Sequence, residues 1–358
     1  MELLDFSCFK TGERRLDVLQ KLQKYALPVV IYGTGRFARS AAEFLQDNDV
    51  RIKCFVDKDM YWHEGKRVSI SSREYPCQNI EGTFSIFEDY VVVYGFNDAA
   101  EFEDSKQHFV GCKDFVYIDG YRGHWMSDKF LQVHQSILKN LYDSLKDEES
   151  KRVMKAYLYA RYTGDIWPLG DLRQDCSYDW KLLAIDQQDV FLDGGAYTGD
   201  TIAELINSGG ARRILAFEPD AKNLVKLLRS CSADILARVN VYPYALWSKD
   251  TVMCFDEIGT WASFVSDEGK TEVRTLSLDN HECFSDVSVV KMDIEGSELE
   301  ALRGMYRLIK QNKPRLAIRV YHNNKDIVEI FLFLKQFGYD FYLRQHAFSV
   351  EETTLYAI

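Results

Sequence analysis

The stretch that decides the fold is residues 190–200, which read VFLDGGAYTGD. An apolar run, Val190–Asp193, leads into a glycine turn, and Thr201–Asn207 continues with the residue spacing of a helix. Glycines allow the backbone to turn tightly and to approach a ligand at the carboxyl end of a strand. This order predicts the opening strand, turn and helix of a doubly wound α/β domain.

The same turn predicts one part of a ligand site. Its acid, Asp193, suits a cationic amine. A dinucleotide-binding turn would instead offer GxGxxG spacing and bare N–H groups for a pyrophosphate, and this turn does not reproduce that spacing. We expect the ligand to be bound by Asp193, Gly194, Gly195, Tyr197, Thr198 and Gly199.

Further strand-like runs follow this turn as far as residue 358. Counted from Val190–Asp193, the first five runs are separated by helical stretches. This alternation predicts a parallel sheet with right-handed crossovers. The last two runs are too close together for a helix between them, so we expect an antiparallel pair at one edge of the sheet. The runs are Ile214–Glu218, Val239–Tyr242, Val287–Asp293, Arg315–Tyr321, Asp340–Leu343 and Thr353–Ile358.

An acid also ends the second strand, in the sequence Phe217-Glu218-Pro219. An acid in this place commonly accepts hydrogen bonds from two ribose hydroxyls, and the proline ends the strand. Either turn alone is a weak signal, and such an acid is often structural. Both turns in order, at βαβ spacing, favour a site that binds a nucleoside through Glu218 and Pro219.

A third strand delivers two carboxylates, Asp293 and Glu295, to the same end of the sheet. They precede Gly296, which opens the backbone at the strand end. Two such carboxylates suit an ammonium group, or a hydroxyl that must be oriented or deprotonated. We interpret Ser297 and Glu298 structurally, as the cap and the favourable charge at the start of the next helix.

The next strand ends in Tyr321-His322. The pKa of an unperturbed histidine, about 6.5, makes His322 a candidate general base for an alcohol, and a polar residue beside a helix is the alternative interpretation. Either His322 or Glu295 would take the proton of a hydroxyl acceptor. A divalent metal could replace the base, but nothing in the sequence demands one, and we assign no metal ligand.

From about residue 147 to residue 358 the chain resembles the FkbM family of methyltransferases. The resemblance depends on VFLDGGAYTGDTI, AFEPD, YALW, VVKMDIEGSELEALRG, the pair Tyr321-His322 with Asp326, and TTLYAI. The specific pattern, DxEGxExxxLxG, is intact from Asp293 to Gly304. One departure is Gly259-Thr260-Trp261-Ala262-Ser263, where family members often have a serine-rich run.

The resemblance implies a class I methyltransferase fold, S-adenosylmethionine as donor, and O-methylation of sugars or related secondary metabolites. By position, Asp193, Gly195 and Gly199 would form the donor turn and Glu218 would hold the ribose. The pair Ala245-Leu246 would lie near the adenine. Asp293 and Glu295 would line the reaction centre, with a sugar or a nucleotide-linked sugar as acceptor.

A second glycine turn lies near the other end of the chain, at Gly33-Thr34-Gly35-Arg36-Phe37-Ala38. It follows the strand Val29–Gly33, and Asp57 closes the next strand, so a small Rossmann-like domain is predicted. Gly33, Gly35, Arg36 and Asp57 are its candidate ligand residues. Nucleotide-sugar binding, an NAD site and a purely structural role all remain open. The alternative functions are therefore an NAD-dependent nucleotide-sugar oxidoreductase and a non-catalytic nucleotide-binding protein.

The length of 358 residues predicts more than one domain. We expect a Rossmann-like domain at 1–122, a helical connector at 123–189 and the second α/β domain at 190–358. The net charge of −11 argues against nucleic acid as a partner, because phosphate binding needs clustered Lys and Arg. No apolar run approaches the roughly 20 residues of a membrane span, and no secretory signal is evident, so a cytoplasmic location is expected. The oligomeric state is not predicted.

Overall fold

The computed structural model describes residues 14–80, 89–97, 99–120, 123, 125–256, 264–265 and 271–358. The chain folds into two compact units. The first comprises Met1–Gln132, Val153–Arg173 and Ala347–Glu351, and the second comprises Val133–Arg152, Gln174–His346 and Glu352–Ile358.

This division differs from the three segments expected from the sequence. The expected connector, 123–189, is not a unit of its own, because its two long helices each contribute residues to both units. An amphipathic helix is stable when its apolar face packs on a core, and a short helical connector has little core of its own. The segment Ala347–Glu351, which the sequence placed in the second domain, belongs to the first unit.

The first unit contains a six-stranded sheet within the described residues, in the order β3-β4-β2-β1-β5-β6. The central pairs are parallel, and β3 pairs antiparallel with β4. The elements are α1 (Arg15–Tyr25), β1 (Val29–Tyr32), α2 (Arg36–Asp47), β2 (Ile52–Asp57), β3 (Arg67–Ile70), β4 (Arg73–Asn79), β5 (Tyr90–Tyr94), α3 (Phe102–Lys106) and β6 (Cys112–Tyr117). This arrangement agrees with the Rossmann-like domain expected from the sequence.

The described helices between β6 and β7 are α4 (Asp128–Ser144), α5 (Glu148–Thr163), α6 (Trp167–Gly170) and α7 (Trp180–Leu183). The second unit continues with β7 (Val190–Gly194), α8 (Asp200–Asn207), β8 (Arg213–Phe217), α9 (Ala221–Ser230), α10 (Ala233–Leu236), β9 (Val239–Tyr242), β10 (Ala245–Leu246), β11 (Thr251–Asp256), β12 (Phe264–Val265), β13 (Thr271–Leu276), β14 (Val289–Met292), α11 (Glu298–Arg303), α12 (Tyr306–Asn312), β15 (Arg315–Arg319), α13 (Asp326–Lys335), β16 (Phe341–Gln345) and β17 (Thr353–Ala357).

The main sheet of the second unit has the order β16-β17-β15-β14-β7-β8-β9 among the described strands. The strands from β15 to β9 run parallel, whereas β17 pairs antiparallel with both β15 and β16. The predicted doubly wound sheet with an antiparallel edge pair is therefore confirmed. The carboxyl ends of β8, β7, β14 and β15 lie side by side at one edge, which is where ligands bind in such sheets.

The central strands are apolar throughout because helices cover both faces of the sheet. Phe191, Leu192, Val289 and Val290 are all fully buried or nearly so. Burial of each such side chain contributes about 1.5–3 kcal/mol. Lys291 interrupts this pattern as a buried charge within β14, two residues before Asp293.

A smaller sheet, β10-β13-β11-β12, was not predicted. Two of its strands, β10 and β12, have only two residues each, and neither β11 nor β13 shows the strict alternation of apolar and polar residues that marks a strand in sequence. The atypical run Gly259–Ser263 lies outside the described residues. Over the described part of the chain, no helix is both long and apolar enough to cross a membrane.

Candidate active site

The glycine turn after β7 is held by backbone contacts to its neighbouring strands. The amides of Gly195 and Ala196 both donate to the carbonyl of Phe217, each at 3.0 Å, and the amide of Asp293 donates to the carbonyl of Gly194 at 3.1 Å. Gly195 has φ of +75°, and a Cβ on it would stand 1.9 Å from the carbonyl oxygen of Asp293. Only glycine fits here, because both the dihedral angle and the space exclude a side chain.

The acid of this turn, Asp193, is completely buried and contacts an ammonium from within the chain. Lys291 Nζ lies 2.9 Å from its Oδ1 and also donates to the carbonyls of Gly194 and Gly195, at 3.2 and 2.7 Å. Burial disfavours the charged lysine, but Asp193 outweighs it and raises the pKa of Lys291. The sequence predicts that Asp193 contacts an amine of the ligand. Its contact in the structure is Lys291, and a direct part in ligand binding stays a prediction.

Glu218 follows β8 and is fixed by two backbone amides. Its Oε2 accepts from the amide of Tyr197, and its Oε1 accepts from the amide of Asp220, both at 2.9 Å. A carboxylate offers about four lone-pair sites, so lone pairs remain for ligand hydroxyls. Burial raises the pKa of Glu218 to about 7. The sequence-predicted ribose acid is thus preoriented beside the glycine turn.

The remaining candidates around the turn are also placed at this edge. Gly199 has φ of +88° and begins α8, and the carbonyl of Thr198 accepts from the hydroxyl of Ser230 at 2.7 Å. Leu246 is buried, and its Cδ1 would stand 2.9 Å from a Cβ built on Gly194. Pro219 directly follows Glu218, and Ala245 precedes Leu246 in β10. Contact of Tyr197, Pro219, Ala245 or Leu246 with a ligand stays a prediction.

Asp293 follows β14 and is surrounded by donors from β15 and the loop after it. Tyr321 donates its hydroxyl to Oδ1 at 3.2 Å, His322 Nε2 lies 3.3 Å from Oδ1, and Arg319 Nε lies 3.6 Å from Oδ2. Burial opposes the charge of Asp293, but His322 and Arg319 outweigh this effect and lower its pKa. Asp293 is therefore ionised at neutral pH.

His322 is surrounded by carboxylates. Its Nε2 lies 3.3 Å from Asp293 and 3.6 Å from Glu295, and its Nδ1 lies 3.2 Å from Glu298. Burial disfavours the imidazolium, but Glu298 and the other two acids outweigh it and raise the pKa of His322 well above its ordinary value. This environment argues against the expected general base, because a nitrogen that already holds a proton cannot accept one.

Glu295 occupies a strained position in the loop between β14 and α11. Its φ is +58°, and the next residue, Gly296, has φ of +93°. A non-glycine residue in this region costs on the order of 1–2 kcal/mol, so the surrounding loop must impose it. The result is that the Glu295 carboxylate reaches to within 3.6 Å of the His322 ring. Asp293, Glu295 and His322 are therefore brought together as the sequence suggested.

Glu298 is the functional candidate that sequence reasoning missed. It was interpreted as a favourable charge at a helix start, yet it is fully buried and faces His322. Its Oε1 also accepts from the amide of Ile294 at 2.8 Å, which closes the loop after β14. The sequence feature that could have identified Glu298 is its closeness to Asp293 and Glu295, since the three acids lie within six residues.

Sequence comparison assigns this part of the chain to a family. Residues 193–341, which begin at the end of β7 and include β8, β14, β15 and the loop containing Asp293, match the methyltransferase FkbM domain. Residues 193–341 are an FkbM methyltransferase domain. The match contains the glycine turn, Glu218, the Asp293–Gly304 pattern and His322. No curated protein matches the sequence.

The structural similarity to a solved protein extends beyond residues 193–341. A crystal structure of methyltransferase FkbM from Methylobacillus flagellatus KT is similar over 95% of this chain and 93% of that one, with a TM-score of 0.68 and 21% identity. At this identity the similarity concerns the fold, and the fold is that of class I methyltransferases.

Other solved methyltransferases match about half of the chain. A rRNA methylase from Streptococcus thermophilus covers 49% of this chain and 90% of that one, with a TM-score of 0.34 and 15% identity. A putative methyltransferase from Streptococcus mutans, in complex with S-adenosylhomocysteine, covers 49% and 91%, with a TM-score of 0.32 and 12% identity.

The glycine turn of the first unit is engaged by contacts within that unit. Asp57 Oδ2 accepts from the Thr34 hydroxyl at 2.7 Å and from Lys66 at 2.6 Å. Gly33 has φ of +105°, whereas Gly35 precedes α2 with no heavy atom near its Cβ position. Arg36 pairs with Glu351 at 3.0 Å. These contacts occupy the acid that a dinucleotide ribose would need, and ligand binding here stays a prediction.

Proposed function

We propose that this chain is an S-adenosylmethionine-dependent O-methyltransferase acting on a hydroxyl of a sugar, a nucleotide-linked sugar or a related precursor. The observation that carries the proposal is the meeting of three features at one edge of the sheet. The glycine turn follows β7, Glu218 follows β8, and the acids and histidine follow β14 and β15. The first two suit the donor and the third suits a hydroxyl acceptor.

The residues present fit the proposed donor. Gly195 leaves a backbone surface on which no Cβ can stand, and Glu218 presents a fixed carboxylate for the ribose hydroxyls. Lys291 stabilises the turn through its ion pair with Asp193 and its hydrogen bonds to the carbonyls of Gly194 and Gly195. Ala245 and Leu246 would supply the apolar contact for adenine. When bound, S-adenosylmethionine supplies a sulfonium methyl group, whose C–S bond breaks as the acceptor oxygen forms the new C–O bond.

The acceptor side supports a hydroxyl substrate. Carboxylates accept hydrogen bonds from hydroxyls, and Asp293 and Glu295 are about one-fifth exposed at the strand ends. We assign the acceptor proton to Glu295. Both nitrogens of His322 already face carboxylates, so His322 orients Asp293 and Glu295 instead of receiving the proton.

Replacement of Glu295 by glutamine tests this assignment. Loss of a general base lowers turnover by about 10²–10⁴-fold, whereas donor binding through the glycine turn should be unchanged. Sugars and nucleotide sugars are offered with S-adenosylmethionine, and methylated product is detected by mass spectrometry. Calorimetry with S-adenosylhomocysteine reports donor binding. Glu329→Gln, an exposed glutamate of α13, is the matched control. Full turnover by Glu295→Gln would remove Glu295 from the mechanism.

The raised pKa of Glu218, about 7, predicts a pH-dependent donor affinity. Ribose hydroxyls donate to the ionised carboxylate, so binding favours the charged form and strengthens as pH rises through this pKa. Between about pH 6 and about pH 8, the affinity for S-adenosylhomocysteine should rise by about tenfold. Calorimetry at several pH values measures this slope. Glu218→Gln should bind more weakly and without the slope, and a slope that persists in this variant would contradict the role of Glu218.

A further inference from the structure

Three potential metal ligands converge at the edge of the sheet. Oxygens of Asp293 and Glu298 and a ring nitrogen of His322 all lie within 4.8 Å of one another. Asp293 follows β14, Glu298 begins α11 and His322 follows β15, so their sequence spacing shows no ligand pattern. One imidazole nitrogen and two carboxylate oxygens form a donor set that suits first-row divalent cations such as Mn²⁺ and Zn²⁺.

The charge around this group is strongly negative. Asp293, Glu295 and Glu298 all approach His322, and Asp326, the first residue of α13, accepts from the amide of Asn323. Arg319 does not neutralise the group by itself, because it also pairs with Glu352 and donates to Thr354. The cluster therefore favours additional positive charge.

Some polar atoms of the group are buried without a hydrogen-bond partner among the described residues. The Glu298 side chain is 1% exposed and the His322 side chain is 8% exposed. Among the described residues, Glu298 Oε2 has no hydrogen-bond partner. The carboxylates beside His322 lie within ion-pair distance of its ring nitrogens, but not with the geometry of a hydrogen bond. A buried polar atom without a partner destabilises the folded chain, and a cation among such atoms would remove that penalty.

We propose that Asp293, Glu298 and His322 bind a divalent metal ion, which would displace a proton from the ligating ring nitrogen of His322 to solvent. Three protein ligands leave positions open for oxygens of another molecule. This assignment rests on the proposed function: the open positions would bind the acceptor. The metal would orient the acceptor hydroxyl and lower its pKa, so that its proton passes to Glu295. The ligand class is therefore an alcohol with two neighbouring oxygens, such as a sugar diol.

The test uses the full chain, stripped of metal by a chelator, and Mn²⁺ alone as the probe. Electron paramagnetic resonance of free Mn²⁺ gives the bound fraction, and thermal unfolding gives the stabilisation. We expect one equivalent to bind wild type and to raise its Tm. Glu298→Gln and His322→Gln should weaken binding by more than the roughly 10–100-fold that loss of an outer hydrogen-bond partner costs. Glu329→Gln should bind like wild type.

Each outcome decides the proposal. Failure of wild type to bind Mn²⁺ or Zn²⁺, or equal binding by wild type and Glu298→Gln, would overturn it. If a variant does not fold, the wild-type titration and Asp293→Asn still decide it. S-adenosylhomocysteine titrated into the metal-free chain separates this result from the proposed function: donor binding without metal binding refutes the metal site alone. Metal binding without any methyl transfer refutes the function and leaves the site.

Discussion

Replacement of Gly195 by alanine is expected to reduce donor affinity by about a hundredfold or more, because a 1 Å shift in a binding site can have an effect of that size. The new Cβ would stand 1.9 Å from the Asp293 carbonyl oxygen, so the turn after β7 and the loop after β14 must separate. The φ of +75° adds about 1–2 kcal/mol of strain. Calorimetry with S-adenosylhomocysteine measures the loss.

Gly210→Ala is the matched control for Gly195→Ala. Gly210 has nearly the same φ, +73°, but its Cβ position is 3.4 Å from the nearest heavy atom. Both variants therefore carry the strain of the dihedral angle, and only Gly195→Ala carries the collision. If the two variants bound the donor equally well, close packing of the turn against Asp293 would not be needed for binding.

Replacement of Lys291 by methionine is the second change with a large expected effect. It leaves the fully buried carboxylate of Asp193 without its partner, and breaking a buried ion pair in this way costs about 3–5 kcal/mol. It also removes the donor to the carbonyls of Gly194 and Gly195, so donor affinity should fall as well. Urea unfolding followed by circular dichroism measures the free energy of unfolding.

The double variant Asp193→Asn with Lys291→Met separates the charge from the packing. It removes both charges, so it should recover part of the stability lost in Lys291→Met. A double variant at least as unstable as the single one would mean that the unpaired charge is not the cause. In that case the hydrogen bonds of Lys291 to the turn would carry the effect.

The sequence predicted the architecture of the second unit well. The apolar runs before Asp193, Glu218 and Asp293 are buried on both faces, and such strands are visible as continuous apolar segments. The small sheet containing β10 was not predicted because two of its strands have only two residues and the other two lack a regular alternation of apolar and polar residues. The helices of the expected connector divide between the two units, and the periodicity of a helix shows its apolar face without showing the unit on which that face packs.

The individual residues of the site were predictable, but their charge states were not. The strand ends located Asp193, Glu218, Asp293 and His322, since parallel strands end at one edge. Three-dimensional contacts then changed their chemistry: Lys291 neutralises Asp193, and Glu298 approaches the far side of His322. These partners are distant in sequence or resemble ordinary helix-start residues, so spacing alone does not identify them.

The most direct test of the account is calorimetric titration of the purified chain with S-adenosylmethionine and, separately, with NAD. We expect saturable binding of S-adenosylmethionine, which Gly195→Ala weakens by about a hundredfold or more and Gly210→Ala retains. Binding of NAD alone by the folded chain, with no heat from S-adenosylmethionine or S-adenosylhomocysteine, would contradict it.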